Sequence, residues 1–160
     1  MSFVEQLPGM LRLLADPTTP HTAPEISCRI QAAGWELCVP VLLSELRGDD
    51  PDVKRLVLAI LAEEAENVGT ESTEPFHEAV EWLMADEDRL VRMAAIHAVR
   101  DLHISTPTAT AALRRIVCDD EAELARQALL TLIELDDGVV EELAQMLRGR
   151  AGEGESIQNL

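Results

Sequence analysis

The sequence predicts an all-α fold, a short right-handed α-solenoid of about four helix pairs with helical caps. Three observations point there. Apolar side chains make up 47% of the 160 residues, aromatic ones only 2%, and tyrosine is absent, so Leu, Ala, Val and Ile must fill the core. That bias favours helices over sheets. Next, three segments align without gaps over about a dozen positions: Val53, Lys54, Val57, Ile60 and Leu61; Val91, Arg92, Ala95, Ala98, Val99 and Leu102; Leu124, Ala128, Thr131, Leu132 and Leu135. Spacings of i, i+4, i+7, i+8 and i+11 put one apolar stripe on each helix. Finally, each of these helices follows a second amphipathic helix and a short acidic turn, the alternation of stacked helix pairs.

Taken in chain order, residues 1–150 form one domain. Residues 1–34 are N-terminal cap helices. The first covers about residues 2–14; after a connection from Asp16 to Pro20, Thr22 and Glu25 form a capping box. That box opens a helix stopping near Gly34, with Ile26, Ile30 and Ala33 on one face. The first repeat spans 35–66. Trp35 begins it and is expected to pack between cap and repeat, and Pro40 either begins its first helix or kinks it near Glu36. Asp50 is a good N-cap and Pro51 suits the first turn, where its missing N–H costs nothing. The second and third repeats span 73–103 and 107–135, and small residues such as Ala95 and Ala98 let helices approach closely. Asp137 caps a closing helix over 137–149 through Val140, Leu143 and Leu147, and 151–160 is expected to be a disordered tail.

A leading Leu/Pro helix, an acidic turn, Asp50-Pro51-Asp52-Val53-Lys54 and then small and branched apolar residues resemble the HEAT-repeat family over about residues 35–135. The second unit, with Asp88, Val91, Arg92 and Ala95, is similar to the HEAT-like repeats also found in bilin lyases. The resemblance implies ladders between repeats, in which Asp50, Asp88 and Asp120 meet Lys54 and Arg92. In the third unit Ala125 occupies the basic position, and Arg126 is the substitute at hand. By fold analogy alone the resemblance admits a bilin-lyase-like enzyme, but without tyrosine few rings are present to stack a tetrapyrrole. A nucleic-acid-binding version needs a basic concave face, whereas Arg55 and Glu63, or Arg126 and Glu134, mix the signs.

At this length folding buries roughly 70% of the surface the unfolded chain exposes, enough for a core without staples. The formal net charge is −17, from 30 acidic against 13 basic side chains, which repels phosphate backbones and anionic lipid and attracts basic proteins or peptides. Cys28, Cys38 and Cys118 contain no C-x-x-C pair and are expected to be reduced core residues of a cytoplasmic protein. No basic region followed by an apolar run opens the chain, so no leader or membrane span is expected, and a monomer is favoured.

No phosphate loop, nucleophile elbow or cysteine pair at metal spacing is present, so no catalytic, cofactor or metal residue is expected. His77-Glu78 with Glu81 lacks the second histidine that a zinc helix needs. His97 and Asp101, at i and i+4, can share a hydrogen bond on the exposed side of their helix. The expected function is non-enzymatic binding of a basic protein, as an immunity protein or inhibitor neutralising a basic toxin, or as a scaffold or adaptor with several partners. From Glu63 to Asp88 there is no Lys or Arg among ten acids: Glu63, Glu64, Glu66, Glu71, Glu74, Glu78, Glu81, Asp86, Glu87 and Asp88. The run is either a solvated face or a docking strip. Trp82, at the edge of the arc centred on Phe76, Val80 and Leu83, either anchors a partner or packs on a loop from Asn67 to Glu74. The candidate contacts are therefore Glu71, Glu74, Glu78, Glu81, Trp82, Asp86 and Glu87 on the strip, with Met93, His97, Arg100 and Asp101 on the exposed side of the second helix.

Overall fold

The computed structural model describes residues 2–15, 23–135 and 138. Helix α1 (Phe3–Leu14) opens with a capping box: the Ser2 hydroxyl accepts from the Glu5 N–H, and the Ser2 N–H donates to the Glu5 carboxylate at 2.6 Å. Two backbone donors at the helix start are thereby satisfied. Helices α2 (Ala23–Ala33) and α3 (Trp35–Leu46) meet at Gly34, whose φ of 101° favours a residue without a Cβ. The anticipated Asp16 to Pro20 connection and the Thr22 cap lie outside the described residues. Helix α3 runs through Pro40 instead of starting there. The ring removes the N–H that would reach the Glu36 carbonyl, yet the flanking turns keep the helical path.

Asp50 and Pro51 act as expected. The Asp50 carboxylate accepts from the N–H groups of Asp52 and Val53 at 3.0 and 3.2 Å, and Pro51 begins α4 (Pro51–Val68). Beyond Gly69, with φ of 78°, the anticipated loop is replaced by a helical turn α5 (Thr70–Thr73), a 3₁₀ turn (Glu74–Phe76) and α6 (His77–Leu83). Trp35 ties this segment to α3. Its indole Nε1 donates to the Ser72 carbonyl at 3.2 Å, and its ring meets Phe76 at a centroid distance of 5.7 Å. The buried indole thus fastens α3 to the segment that follows α4, a junction the sequence did not suggest.

Asp88 caps α7 (Arg89–Asp101) through bonds from the Leu90 and Val91 N–H groups, at 2.8 and 3.0 Å. Thr106 caps α8 (Pro107–Asp119) by accepting from the Ala109 N–H at 3.0 Å. Helix α9 (Ala122–Leu135) is the last element described. The helix expected from Asp137 and the tail beyond it lie outside the described residues.

The helices stack as an all-α solenoid, and no strand occurs among the described residues. Helices α2, α4, α7 and α9 pack successively in one row; α3, α6 and α8 back onto α4, α7 and α9, and α1 lies on α3. The repeated stripe is the core. Val53, Val57, Ile60 and Leu61 are fully buried, as are Val91, Ala95 and Val99, and Leu124 and Ala128. Ala95 and Ala98 have no side chain beyond Cβ, which lets α7 fit between α4 and α9. The core holds few rings, and Phe76 is the largest of its fully buried side chains. In a Trp82→Phe background, where Trp35 is the sole tryptophan, Phe76→Ala is expected to cost about 3–5 kcal/mol in urea unfolding. Trp35 emission should shift to longer wavelength. An unshifted spectrum would show that the ring contact does not hold the indole in place.

Candidate functional site

The site begins at the turns between helix pairs. Lys54, one turn into α4, is nearly buried, and its Nζ donates to Asp86 Oδ2 at 2.8 Å. Asp86 Oδ1 accepts from the Asp88 N–H at 2.9 Å. One unit further, Arg92 forms a two-pronged pair with Asp120 at 3.1 and 3.2 Å and donates to the backbone carbonyls of Asp86 and Glu87. A ladder therefore exists, with a correction to its acids: Asp50 and Asp88 are consumed as N-caps, and Asp86 is the partner of Lys54. Among the described residues it does not extend to Arg126, which pairs within its own helix with Glu123 at 2.8 Å. The bonds from Arg126, then Gln127, hold the Glu123 carboxyl at about 2.

Trp82 stands beside this ladder. It is 60% exposed, with Lys54 Nζ 5.6 Å from its ring centroid, within reach of a cation–π contact. Its alternative role, packing on residues 67–74, falls to Trp35. The Trp82 indole forms the ridge between two shallow depressions. One is lined by Asp49, Pro51, Lys54, Ala85 and Asp86 to Asp88; the other lies between Arg47, Glu78, Ala79, Glu81 and Thr108.

The acidic strip divides. Glu71, Glu74, Glu78 and Glu87 are exposed, but of these only Glu78 and Glu87 border the depressions beside Trp82. Glu81 is half-buried and accepts from the Thr106 hydroxyl, and Asp86 belongs to the ladder. Glu64, read from sequence as part of a surface run, is fully buried, its two oxygens taking bonds from the Gln31 side-chain amide at 3.2 and 3.0 Å. It occupies the i+11 position of the apolar stripe, where the next units carry Leu102 and Leu135. That register is the sequence signal that marks it as a core position, against its charge.

A separate groove, of ≈ 660 Å³, follows α4 and α7 and is lined by Ala59, Ala62 and Ala98 among small residues, with Arg55, His97, Arg100, Asp101 and Glu134. Here the expected His97 bond to Asp101 gives way to a competitor: Arg100 Nε donates to Asp101 at 3.0 Å and lies 3.8 Å from Glu134. Met93 is partly buried against the core and does not line this groove.

The cysteine expectation also needs correction. Cys38 is buried, and burial pushes its thiol up, whereas Cys28 and Cys118 are exposed; all three are free thiols. Among the described residues no cluster of three or more His, Cys, Asp or Glu is placed to hold a metal ion, and no helix is long and apolar enough to cross a membrane.

A family model described as HEAT repeats matches residues 39–148. No curated protein and no solved structure matches the chain.

The ladder has a pH consequence. Burial alone pushes the Asp86 carboxyl up, but the bonds from Lys54 and the Asp88 N–H, with the charges of Lys54 and Arg92, outweigh it and hold the group below its ordinary 3.8. A carboxyl depressed in the folded state contributes its full stability above its ordinary value. It loses that contribution as pH falls through the lower folded value, because the unfolded chain takes up the proton first. Asp86→Asn strands the Lys54 ammonium and should cost about 3 kcal/mol at pH 7, with a cost that shrinks as pH falls below the group's ordinary 3.8 and through its lower folded value. Urea titrations of both proteins across that pH range measure this; a pH-independent difference would remove Asp86 from the acid transition.

Proposed function

Because the chain belongs to the HEAT-repeat family, we propose that it is a non-enzymatic protein-binding module that engages a basic protein through the edge around Trp82. The carrying observation is the exposed Trp82 indole set between two depressions whose rims carry Asp49, Glu78, Glu81 and Glu87. A tryptophan ring offers a large contact area while turning about only two side-chain angles, so it loses little rotamer entropy on binding, which suits an interface anchor. The surrounding carboxylates select a partner of opposite charge and raise its encounter rate. The net charge of −17 acts at longer range in the same sense.

The sharper form of this reading is an immunity protein or inhibitor that masks one basic toxin. The whole-chain charge supports it, since a long-range field serves rapid capture of a single dangerous target better than it serves weak sampling of many. His97, Arg100 and Asp101 enter as a flanking contact on the groove side, whereas Glu71 and Glu74 contribute field without touching the anchor.

Partners recovered from the native cell and measured by surface binding kinetics test this. A basic partner should associate about tenfold more slowly with a Glu78→Gln/Glu81→Gln/Glu87→Gln variant, and wild-type association should slow as salt rises past a Debye length of about 10 Å. One dominant high-affinity partner supports the inhibitor form, and several partners favour the adaptor. Salt-independent association, unchanged in the triple variant, would falsify the acidic edge as the docking surface.

A further inference from the structure

Resting on that protein-binding reading, we propose that the depression between Arg47, Glu78, Ala79, Glu81, Trp82 and Thr108 is a receptor for a single arginine side chain of the basic partner. It has a volume of ≈ 570 Å³ and is bounded by the C-terminal end of α3, the outer side of α6 and the first turn of α8. Its exposed lining is mostly apolar, and its polar groups are few and placed.

The indole already shows what it attracts. Lys54 places an ammonium 5.6 Å from the ring centroid, yet that ammonium is committed to Asp86 and almost wholly covered. Sixty per cent of Trp82 still faces solvent, so aromatic surface remains for a second cation. Glu81 is held ready: the Thr106 hydroxyl donates to its Oε1, which orients the carboxylate. Glu78 is exposed on the same helix, with no ion pair among the described residues. Ala79, almost fully buried, makes a floor with no bulk.

The chemistry of the guest follows from these three groups. An anion is repelled by two carboxylates. An apolar side chain would cover Glu78 and Glu81 without giving them a partner, which costs free energy. An ammonium can meet a carboxylate or the ring, but as a compact, strongly hydrated point charge it does both poorly. A guanidinium is planar and weakly hydrated; its face stacks on the indole while its edge donates two parallel bonds to one carboxylate. Arginine is the side chain whose shape uses both features at once. Arg47, the C-cap residue of α3, is on this rim and is a like charge that weakens the guest.

Hexa-arginine, hexa-lysine and hexa-citrulline peptides titrated by calorimetry against the full chain at low salt test the proposal. Hexa-arginine is expected to bind about tenfold tighter than hexa-lysine, and hexa-citrulline not measurably. Trp82→Ala and Glu81→Gln should each lower hexa-arginine affinity about tenfold and erase its advantage over hexa-lysine. Trp82→Phe, which keeps a ring, should retain part of that advantage. Arg47→Gln should raise hexa-arginine affinity about two- to threefold, as expected for an exposed like charge, and Glu71→Gln/Glu74→Gln should leave the arginine-to-lysine ratio unchanged. Equal binding of the two cationic peptides, weakened alike by neutralising the acids, overturns the arginine receptor and leaves the basic-partner reading standing. No binding of either peptide to the wild-type chain overturns both.

Discussion

A lysine ammonium removed from water must meet a negative charge or lose its proton. Lys54 meets Asp86, 2.8 Å away across the turn of the following helix pair, and much of the architecture is arranged around that contact. Asp86 turns its other oxygen to the Asp88 N–H, which sets Asp88 to cap α7. Arg92, one turn into α7, then grips the carbonyls of the same turn and reaches forward to Asp120. Each cation therefore fixes the turn of the next unit, and the stacking order follows from these directed bonds as much as from the apolar stripe. Hydrophobic contact alone, with this much Ala and Leu, would tolerate sliding of one helix pair over another.

The same device shapes the exterior. Most cations are already paired within the chain: Arg12 with Glu45, Arg55 with Asp52, Arg89 with Glu121 and Arg100 with Asp101, in addition to the ladder. Exposed pairs of this kind add little stability. Their consequence lies in what is left over, because 30 acids against 13 bases means that every internal pairing leaves the remaining surface more uniformly negative. Glu78 and Glu87 belong to that remainder, and they flank the exposed Trp82 indole.

Much of this was legible in the sequence. The period of the apolar stripe and the Asp-Pro start of α4 are local signals with strong physical causes, and the structure follows them. The ladder was legible as a kind of contact but not in its partners. The α6–α7 turn offers Asp86, Glu87 and Asp88, and the choice among them depends on which one caps the helix, a matter of backbone angles that spacing does not reveal. Glu64 was misread for the opposite reason: its charge spoke for the surface while its register spoke for the core. Register prevails there because Gln31 from α2 supplies a donor, and a partner 33 residues away is invisible to any local pattern. Trp35 and Trp82 illustrate the same limit, since each is defined by a residue from a distant turn.

The groove along α4 and α7 and the depressions beside Trp82 differ in how their charges are paired. The groove along α4 and α7 is the larger, but its charges answer one another: Arg100 lies between Asp101 and Glu134, and Arg55 is held by Asp52. A guest there must displace existing pairs and recovers only the difference. Around Trp82 the ladder has already taken Lys54 and Asp86, so the groups that remain are a ring face, the Arg47 guanidinium, and the Glu78 and Glu81 carboxylates with no ion pair among the described residues. A cationic guest gains those contacts without breaking any. The groove along α4 and α7 thus carries paired charges of both signs, and the edge beside the ladder, where we propose that a partner docks, is where recognition would not compete with fold stabilisation for the same charges.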